Sequence, residues 1–544
     1  MKHPPDCEVM IVGGGLSGLS CAMFLAWHGV QTILVERHPD VLAHPRQRSI
    51  PPRIMEMYRQ LGLEPRILAA TDSTPDTDAE STTVSATTLS DRRYRPVDQY
   101  VPVARAEATS PCSGTPIDQD RTETLVRHRA RELGAHIRFG TRLCGFTQHQ
   151  EGVDVRLRDL DGTETPLCTR YLVAADGAHS PIRRQFGIPM ETFGEFHEML
   201  TVLLEADLRP ALAGRTVHMA HLTRPRPRSY LMALDSGQRR WAFGTSDSAD
   251  ADMPDEDECI ELVRQAVGDP ELSMKLLPQL PGTDTVATRF TVGAAVAARY
   301  RHGRVFLIGD AAHLLPPAGG FAGATGVADA HNLAWKLAAV IAGQAGDALL
   351  DSYQAERLPV ARFTVQQSLA RSRARYEPRP EPGWGPQILD RDSVMMGYHY
   401  RSSAVVDYSV DRQTVGSASM LRGAPGTRAP HLWLTDAPNR LSTVDLYGSR
   451  FVLLTGEEGH AWLAAAHTLP VQVDAYRLGL DICGPGAAAR HGLGSRGALL
   501  VRPDGFVAWR SRGMVPLPTD RLAGVLASVL SMPRAGSPDS SAAP

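Results

Sequence analysis

The chain has 544 residues, 43% of them hydrophobic and 22% charged, with a formal net charge of −3. That length predicts two to three domains instead of one core, and so small a net charge leaves no electrostatic footprint for nucleic acid or an anionic membrane. No apolar run approaches the ~20 residues of a membrane span, and the N-terminal stretch lacks the apolar segment and cleavage site of a signal peptide, so the cytoplasm is the expected compartment.

In chain order, "EVMIV" (8–12) is a continuous apolar run of the kind a parallel strand buried on both faces needs. "GGGLSG" is a turn, the stretch that follows has helical periodicity up to Gly29, and "VQTILVE" closes a βαβ unit at Glu36. From Thr71 to Pro116 the composition predicts strands and loops. "DRTETLVRHRARELG" reads as a helix, and 140–174 as a β-meander ending in "TRYLVAADG". Residues 187–285 alternate like sheet strands, with one helix at "DEDECIELVRQAVG". "GRVFLIGDAAH" returns to a buried strand, a long helix is expected from about Gly326, and a second helical stretch runs into the Pro-rich linker "EPRPEPGWGPQ". "RFVLLTG" and "GALLVRPDGFVAWR" are strands of a third unit.

These segments give an α/β protein. Residues 1–75, 105–186 and 286–380 form a discontinuous Rossmann-like dinucleotide-binding domain, 76–104 and 187–285 a β-sheet-rich middle domain, 391–532 a C-terminal α/β domain, and 533–544 a disordered tail. The seven cysteines (Cys7, Cys21, Cys112, Cys144, Cys168, Cys259, Cys483) form no C-x-x-C pair, so free thiols are expected, with neither a disulfide framework nor a metal site.

Three motifs carry chemistry. In Gly13-x-Gly15-x-x-Gly18 the glycines permit a tight turn, close approach to a pyrophosphate, and helix–strand packing. Leu16 and Ser17 open the helix whose free N–H groups favour phosphate. Glu36, followed by Arg37, ends the second strand, where a carboxylate accepts hydrogen bonds from a ribose. "YLVAADGAHSPIRRQFG" brings Asp176, Ser180 and Arg183 to a second strand tip, and "RVFLIGDAAHLLPPAGG" brings Asp310 to a third. All three tips fall on the carboxyl edge of one sheet, where ligands bind in open α/β folds.

Taken with "HPRQRSIPPRIMEMYRQLGL", "DQDRTETLV" and "PPAGGFAGATGVADAHNLAWKLA", these motifs resemble the flavin-dependent aromatic hydroxylases of the p-hydroxybenzoate hydroxylase superfamily. Within it the chain looks most like the tetracenomycin- and anthracycline-type polyketide hydroxylases. The resemblance spans nearly the whole chain and implies bound FAD, transient NADPH, O2 as co-substrate and a polycyclic aromatic substrate. Hydroxylation would proceed through a C4a-hydroperoxyflavin, so that the flavin itself, with no assigned catalytic side chain, carries the chemistry.

The same resemblance assigns Asp310 to the ribitol, Arg46 to phosphate or ribose, and Gln119 to the phosphate–ribitol part. It makes Asp176 a cofactor-binding residue, sets Arg183 near the pyrophosphate or visiting nucleotide, and sets Pro317, Gly319, Gly320, Phe321, Ala322, Gly323 and Ala324 in the flavin loop beside the isoalloxazine ring. Family members commonly read Gly-Gly-x-Gly-x-Asn there, so Ala322 and Ala324 depart from the pattern. His313 is expected to serve in structural hydrogen bonding, and one of Arg224, Arg226 and Arg228 is a candidate partner for an acidic phenol. The third domain is expected to be thioredoxin-like without a redox pair. Baeyer–Villiger insertion, and a non-catalytic flavoprotein of a biosynthetic complex, stand as alternatives. The sequence leaves room for a homo-oligomer.

Overall fold

Val9, Met10 and Ile11 have no exposed surface, as a strand covered on both faces requires. They belong to β1 (Cys7–Val12), which is followed by α1 (Leu16–Trp27) and β2 (Thr32–Glu36). The structure, a computed structural model, describes residues 5–41, 47–71, 82–96, 109–194, 196–235, 238–248, 250–279, 282–376, 387–406, 415–418, 421–434, 441–482 and 486–532. Arg46, Cys483, the Pro-rich linker core and the expected tail lie outside them.

After β2 come α2 (Pro52–Arg59), α3 (Gln119–Glu132) and β3 (Glu164–Ala174). β1 pairs in parallel with both β2 and β3, and β2 pairs in parallel with His136–Phe139. The predicted meander runs antiparallel through Thr141–Gln148, Val153–Asp159 and β3.

A second, eight-stranded sheet forms the middle of the molecule. Its centre is His197–Ala206, Arg240–Asp247 and β4 (Ser229–Ala233), all antiparallel, and Thr82–Ala86 joins it through Val217–Leu222. One face (Leu200, Val202, Leu204, Leu231, Trp241, Phe243) packs on Val263, Ala266 and Val267 of the helix Glu256–Val267, which starts in a capping box at Asp255 and Glu258. The opposite face carries a separate apolar cluster of Leu203, Met232, Leu234 and Ala242. Strand Ala287–Val292, which the sequence places on the dinucleotide side, pairs with His197–Ala206 and so belongs to this sheet.

The chain then returns to the first sheet with β5 (Val305–Leu307), parallel to β3. Two long helices follow, α4 (Ala322–Ile341) and α5 (Asp351–Tyr376), the latter continuous through Pro359. α4 begins four residues before the expected Gly326. Gly319 and Gly320, at φ of +96° and +66°, turn the chain earlier, and Phe321 is the N-cap residue. Gly326 is no helix breaker: a Cβ there would lie 2.1 Å from Ser17 Oγ and 3.0 Å from Gly309 Cα. The glycine lets α4 press onto α1 and the β5 turn.

The C-terminal unit is a four-stranded mixed sheet centred on β6 (Phe451–Thr455), with Val473–Arg477 parallel on one side and Ala498–Val501 antiparallel on the other. Its core includes Trp462 and Trp509, whose rings meet edge to face at 5.4 Å, and also Trp335 and Ala339 of α4. One helix therefore serves two cores. Among the described residues no helix is long and apolar enough to cross a membrane, and the six described cysteines are free.

Candidate functional site at the strand tips

The glycine turn is shaped by its own backbone. Gly13 sits at φ +113°, and a Cβ there would lie 2.1 Å from the Ala175 carbonyl oxygen. A Cβ on Gly18 would lie 2.0 Å from the Gly13 carbonyl oxygen. Gly15 differs: it is exposed, and its Cβ would find only Glu123 Oε1, at 3.9 Å. Two glycines thus close the turn onto β3 while the third leaves an open backbone surface. The first turn of α1 holds no acidic residue and no side-chain cap, so its N–H groups stay available to an anion.

Glu36 braces this turn. Its carboxylate accepts the Gly14 N–H at 2.6 Å and the His38 N–H at 2.9 Å. Arg37, beside it, is spent on an exposed contact with His38. From α3, Gln119 Nε2 donates to Glu123 Oε1 at 2.7 Å, placing both side chains beneath Gly15.

At the second tip, Asp176 Oδ2 accepts the Ile182 N–H at 3.2 Å, while Oδ1 is buried with no protein partner. Burial raises the pKa of this carboxyl. Ser180 caps the short helix Pro181–Gln185 by accepting the Arg183 N–H. The Arg183 guanidinium is buried and lowered in pKa by that burial; it donates to the carbonyls of Ala311 and Ala178, each at 2.9 Å. Arg183 therefore ties the second strand tip to the third.

At the third tip, Gly309 turns at φ +59° and leaves Asp310 half-buried. The Gly309 N–H donates to Asp329 Oδ2. The same oxygen accepts from His313 Nε2 at 2.7 Å, and Asp329 Oδ1 accepts from Arg357 Nε at 2.7 Å. Burial alone would raise the Asp329 carboxyl, but the Arg357 charge and His313 more than reverse it, and its pKa is lowered. His313 is thus a buried structural anchor, in line with the sequence reading. Arg226, one of the three candidate arginines, is committed to Asp247 at 2.7 Å.

The loop after Leu314 is pinned from α5. Ser368 Oγ lies 2.6 Å from the Pro316 carbonyl oxygen and 2.8 Å from that of Ala318. Pro317 and Gly320 remain exposed, Phe321 is buried under the Arg371 guanidinium, and Ala322 and Gly323 are half-buried. Ala324 is 1% exposed and faces the core. Two residues that the sequence reading did not single out also converge here. A Cβ on Gly323 would run into Gln47 Oε1, a buried atom with no protein partner. Arg48, next in sequence, reaches the middle sheet.

Comparison with known proteins agrees with this geometry. Residues 6–368 match the model of an FAD binding domain, and residues 422–533 match the aromatic-ring hydroxylase C-terminal family. The chain belongs to the FAD-dependent aromatic-ring hydroxylases. An aklavinone 12-hydroxylase of Streptomyces purpurascens is 37% identical over 540 residues, covering 96% of this chain and 99% of that one. A 4-methyl-5-nitrocatechol 5-monooxygenase of a Burkholderia species is 37% identical over 97% of this chain and 99% of its own. Among solved structures, a ternary complex of aklavinone-11 hydroxylase with FAD and aklavinone matches at a TM-score of 0.87 and 35% identity, over 97% of this chain and all of that one.

As a member of this hydroxylase family the protein is an FAD-dependent monooxygenase. The residues present fit that cofactor. Gly15 and the first turn of α1 leave backbone open for a pyrophosphate, and Asp176 Oδ1 and Gln47 Oε1 are buried acceptors with no protein donor.

Proposed function

We propose that the protein hydroxylates a polycyclic aromatic phenol or quinone of the polyketide type, using NADPH and O2. In balance, substrate, NADPH, a proton and O2 give hydroxylated product, NADP+ and water. Bound FAD supplies the redox and oxygen-transfer chemistry, and the protein binds, orients and excludes water. Gly13, Gly15, Gly18 and the start of α1 (Leu16, Ser17) would hold the pyrophosphate, Glu36 and Arg37 the adenosine side, and Asp310 the ribitol. Arg46 and Gln119 would contact the phosphate–ribose and phosphate–ribitol parts. Asp176 would accept a hydrogen bond from the cofactor or its bound water, with Arg183 beside the pyrophosphate. Pro317, Gly319, Gly320, Ala322 and Gly323 would border the ring, whereas Phe321 and Ala324, which the sequence also set there, are turned into the core.

One observation carries this reading. α5 pins the loop through Ser368, and the charge of its Arg375 is felt at His221 on the middle sheet. That charge adds to burial in lowering the pKa of His221, on Val217–Leu222, to about 3. Leu203, Met232, Leu234 and Ala242 form a buried apolar cluster on the sheet face opposite the helix Glu256–Val267, and an apolar, thioether-containing lining of this kind would suit a flat, fused-ring substrate.

The test is NADPH consumption by FAD-loaded protein across a panel of tri- and tetracyclic phenols and quinones, with a nitrocatechol as the single-ring arm. Products are weighed in the same tubes. Substrate-stimulated consumption with a product heavier by one oxygen supports the proposal, and the product's structure separates a phenol from an inserted lactone. Stimulation by the catechol alone would overturn the polycyclic assignment.

A further inference from the structure

Gln47 and Arg48 are neighbours in sequence, yet their side chains go to different elements, the glycine loop for one and the middle sheet for the other. Gln47 Oε1 abuts Gly323 at the start of α4. Arg48 crosses to the middle sheet, where its NH2 group donates to the Leu234 carbonyl at 3.0 Å and its NH1 group to the Ala233 carbonyl. Those carbonyls end β4, the strand that contributes Met232 and, just beyond it, Leu234 to the apolar face.

The third donor, Nε, is fixed by Asp118 Oδ1 at 2.7 Å. Asp118 is the N-cap residue of α3, a position where an aspartate ordinarily accepts N–H groups of the first turn. Here no side-chain cap forms, because the carboxylate is drawn off to Arg48. The backbone of residue 48 is anchored as well: its carbonyl accepts the Ile117 N–H at 3.1 Å. A planar guanidinium serves three directions at once, which an ammonium on a flexible stem does not reproduce.

We propose that Arg48 is a positioning residue that fixes the apolar face of the middle sheet at a set height above the loop bordered by Gly323. It acts through β4 and touches no reacting atom. The inference rests on the proposed function for its consequence, which is the alignment of substrate with the cofactor side. A misplacement of about 1 Å costs a reaction on the order of a hundredfold in rate.

The experiment compares Arg48→Ala and Arg48→Lys with the FAD-loaded parent. Product formed per NADPH consumed is measured with aklavinone as the probe, and amide hydrogen exchange is followed over residues 229–234. For Arg48→Ala we expect full FAD content, faster exchange in that segment, and a fall of about ten- to a hundredfold in coupled hydroxylation. Arg48→Lys should recover only part of each. Unchanged exchange and coupling in Arg48→Ala would overturn the proposal, as would loss of FAD in step with loss of coupling, which would mean that Arg48 merely holds the cofactor domain together. If no polycyclic probe is turned over by the parent, the functional reading fails, and the exchange data alone decide whether Arg48 tethers the sheet.

Discussion

At the scale of single residues, the site is built from backbone that side chains would block. Gly18 shows this best, because a Cβ there would sit 2.0 Å from another glycine's carbonyl oxygen and no flexible atom can yield. Gly18→Ala should cost about 1–3 kcal/mol through forced overpacking. It should also weaken FAD binding about tenfold or more, since 1.4 kcal/mol is a factor of ten. The flavin-to-protein absorbance ratio and the thermal midpoint check both. The glycine turn, Glu36 and Asp310 were legible in the sequence because each motif is local. Arg48 was not, since its partners lie 185 and 186 residues away. Neither was the set of Asp329 with His313 and Arg357, whose members come from separate segments joined only by folding.

At the scale of elements, the long helices read well in the sequence and their joints read poorly. Gly326 stood at the expected start of α4, yet it lies inside the helix and is spent on close approach to Gly309 and Ser17. A helix in sequence is a periodicity, and what a residue must pass closely is not written in it. α5 has a comparable hidden duty at Ser368, whose hydroxyl serves the Pro316 and Ala318 carbonyls. Ser368→Ala leaves two buried acceptors without that donor, a loss of about 1–3 kcal/mol. The expected readouts are a lower thermal midpoint and more hydrogen peroxide released per NADPH consumed, as the loop Pro316–Gly320 loosens. Wild-type values on both would show that the loop is held elsewhere.

At the scale of the whole molecule, the C-terminal unit is bolted on by charge with no access to water. Glu356 of α5 accepts from Lys336 at 2.7 Å and from Arg502 at 2.5 and 2.9 Å, and Arg502 also holds Asp504. Burial pulls the Lys336 ammonium down to about 8 against the attraction of Glu356. A second set joins Arg428 to Glu56 of α2, with Arg53 donating to the Asp504 carbonyl. Removing one partner of such a set leaves a buried charge uncompensated, so Glu356→Ala should lose about 3–5 kcal/mol. In urea the parent should unfold in one transition and the variant in two, with tryptophan fluorescence from Trp462 and Trp509 reporting the earlier step. The sequence announced a third unit but not this seam, because Lys336, Glu356 and Arg502 read individually as ordinary surface charges.

That α4 is shared between two cores has a consequence for how the protein is made. The face of α4 bearing Trp335 and Ala339 is covered by residues 451–530, so it stays bare while about 190 more residues leave the ribosome. At roughly 5–20 residues per second that is an interval of about ten to forty seconds. Through that interval the nascent chain carries an uncovered tryptophan, and Glu356 waits for its Arg502 partner. A chain cut short before the last sheet would therefore keep that apolar face of α4 exposed.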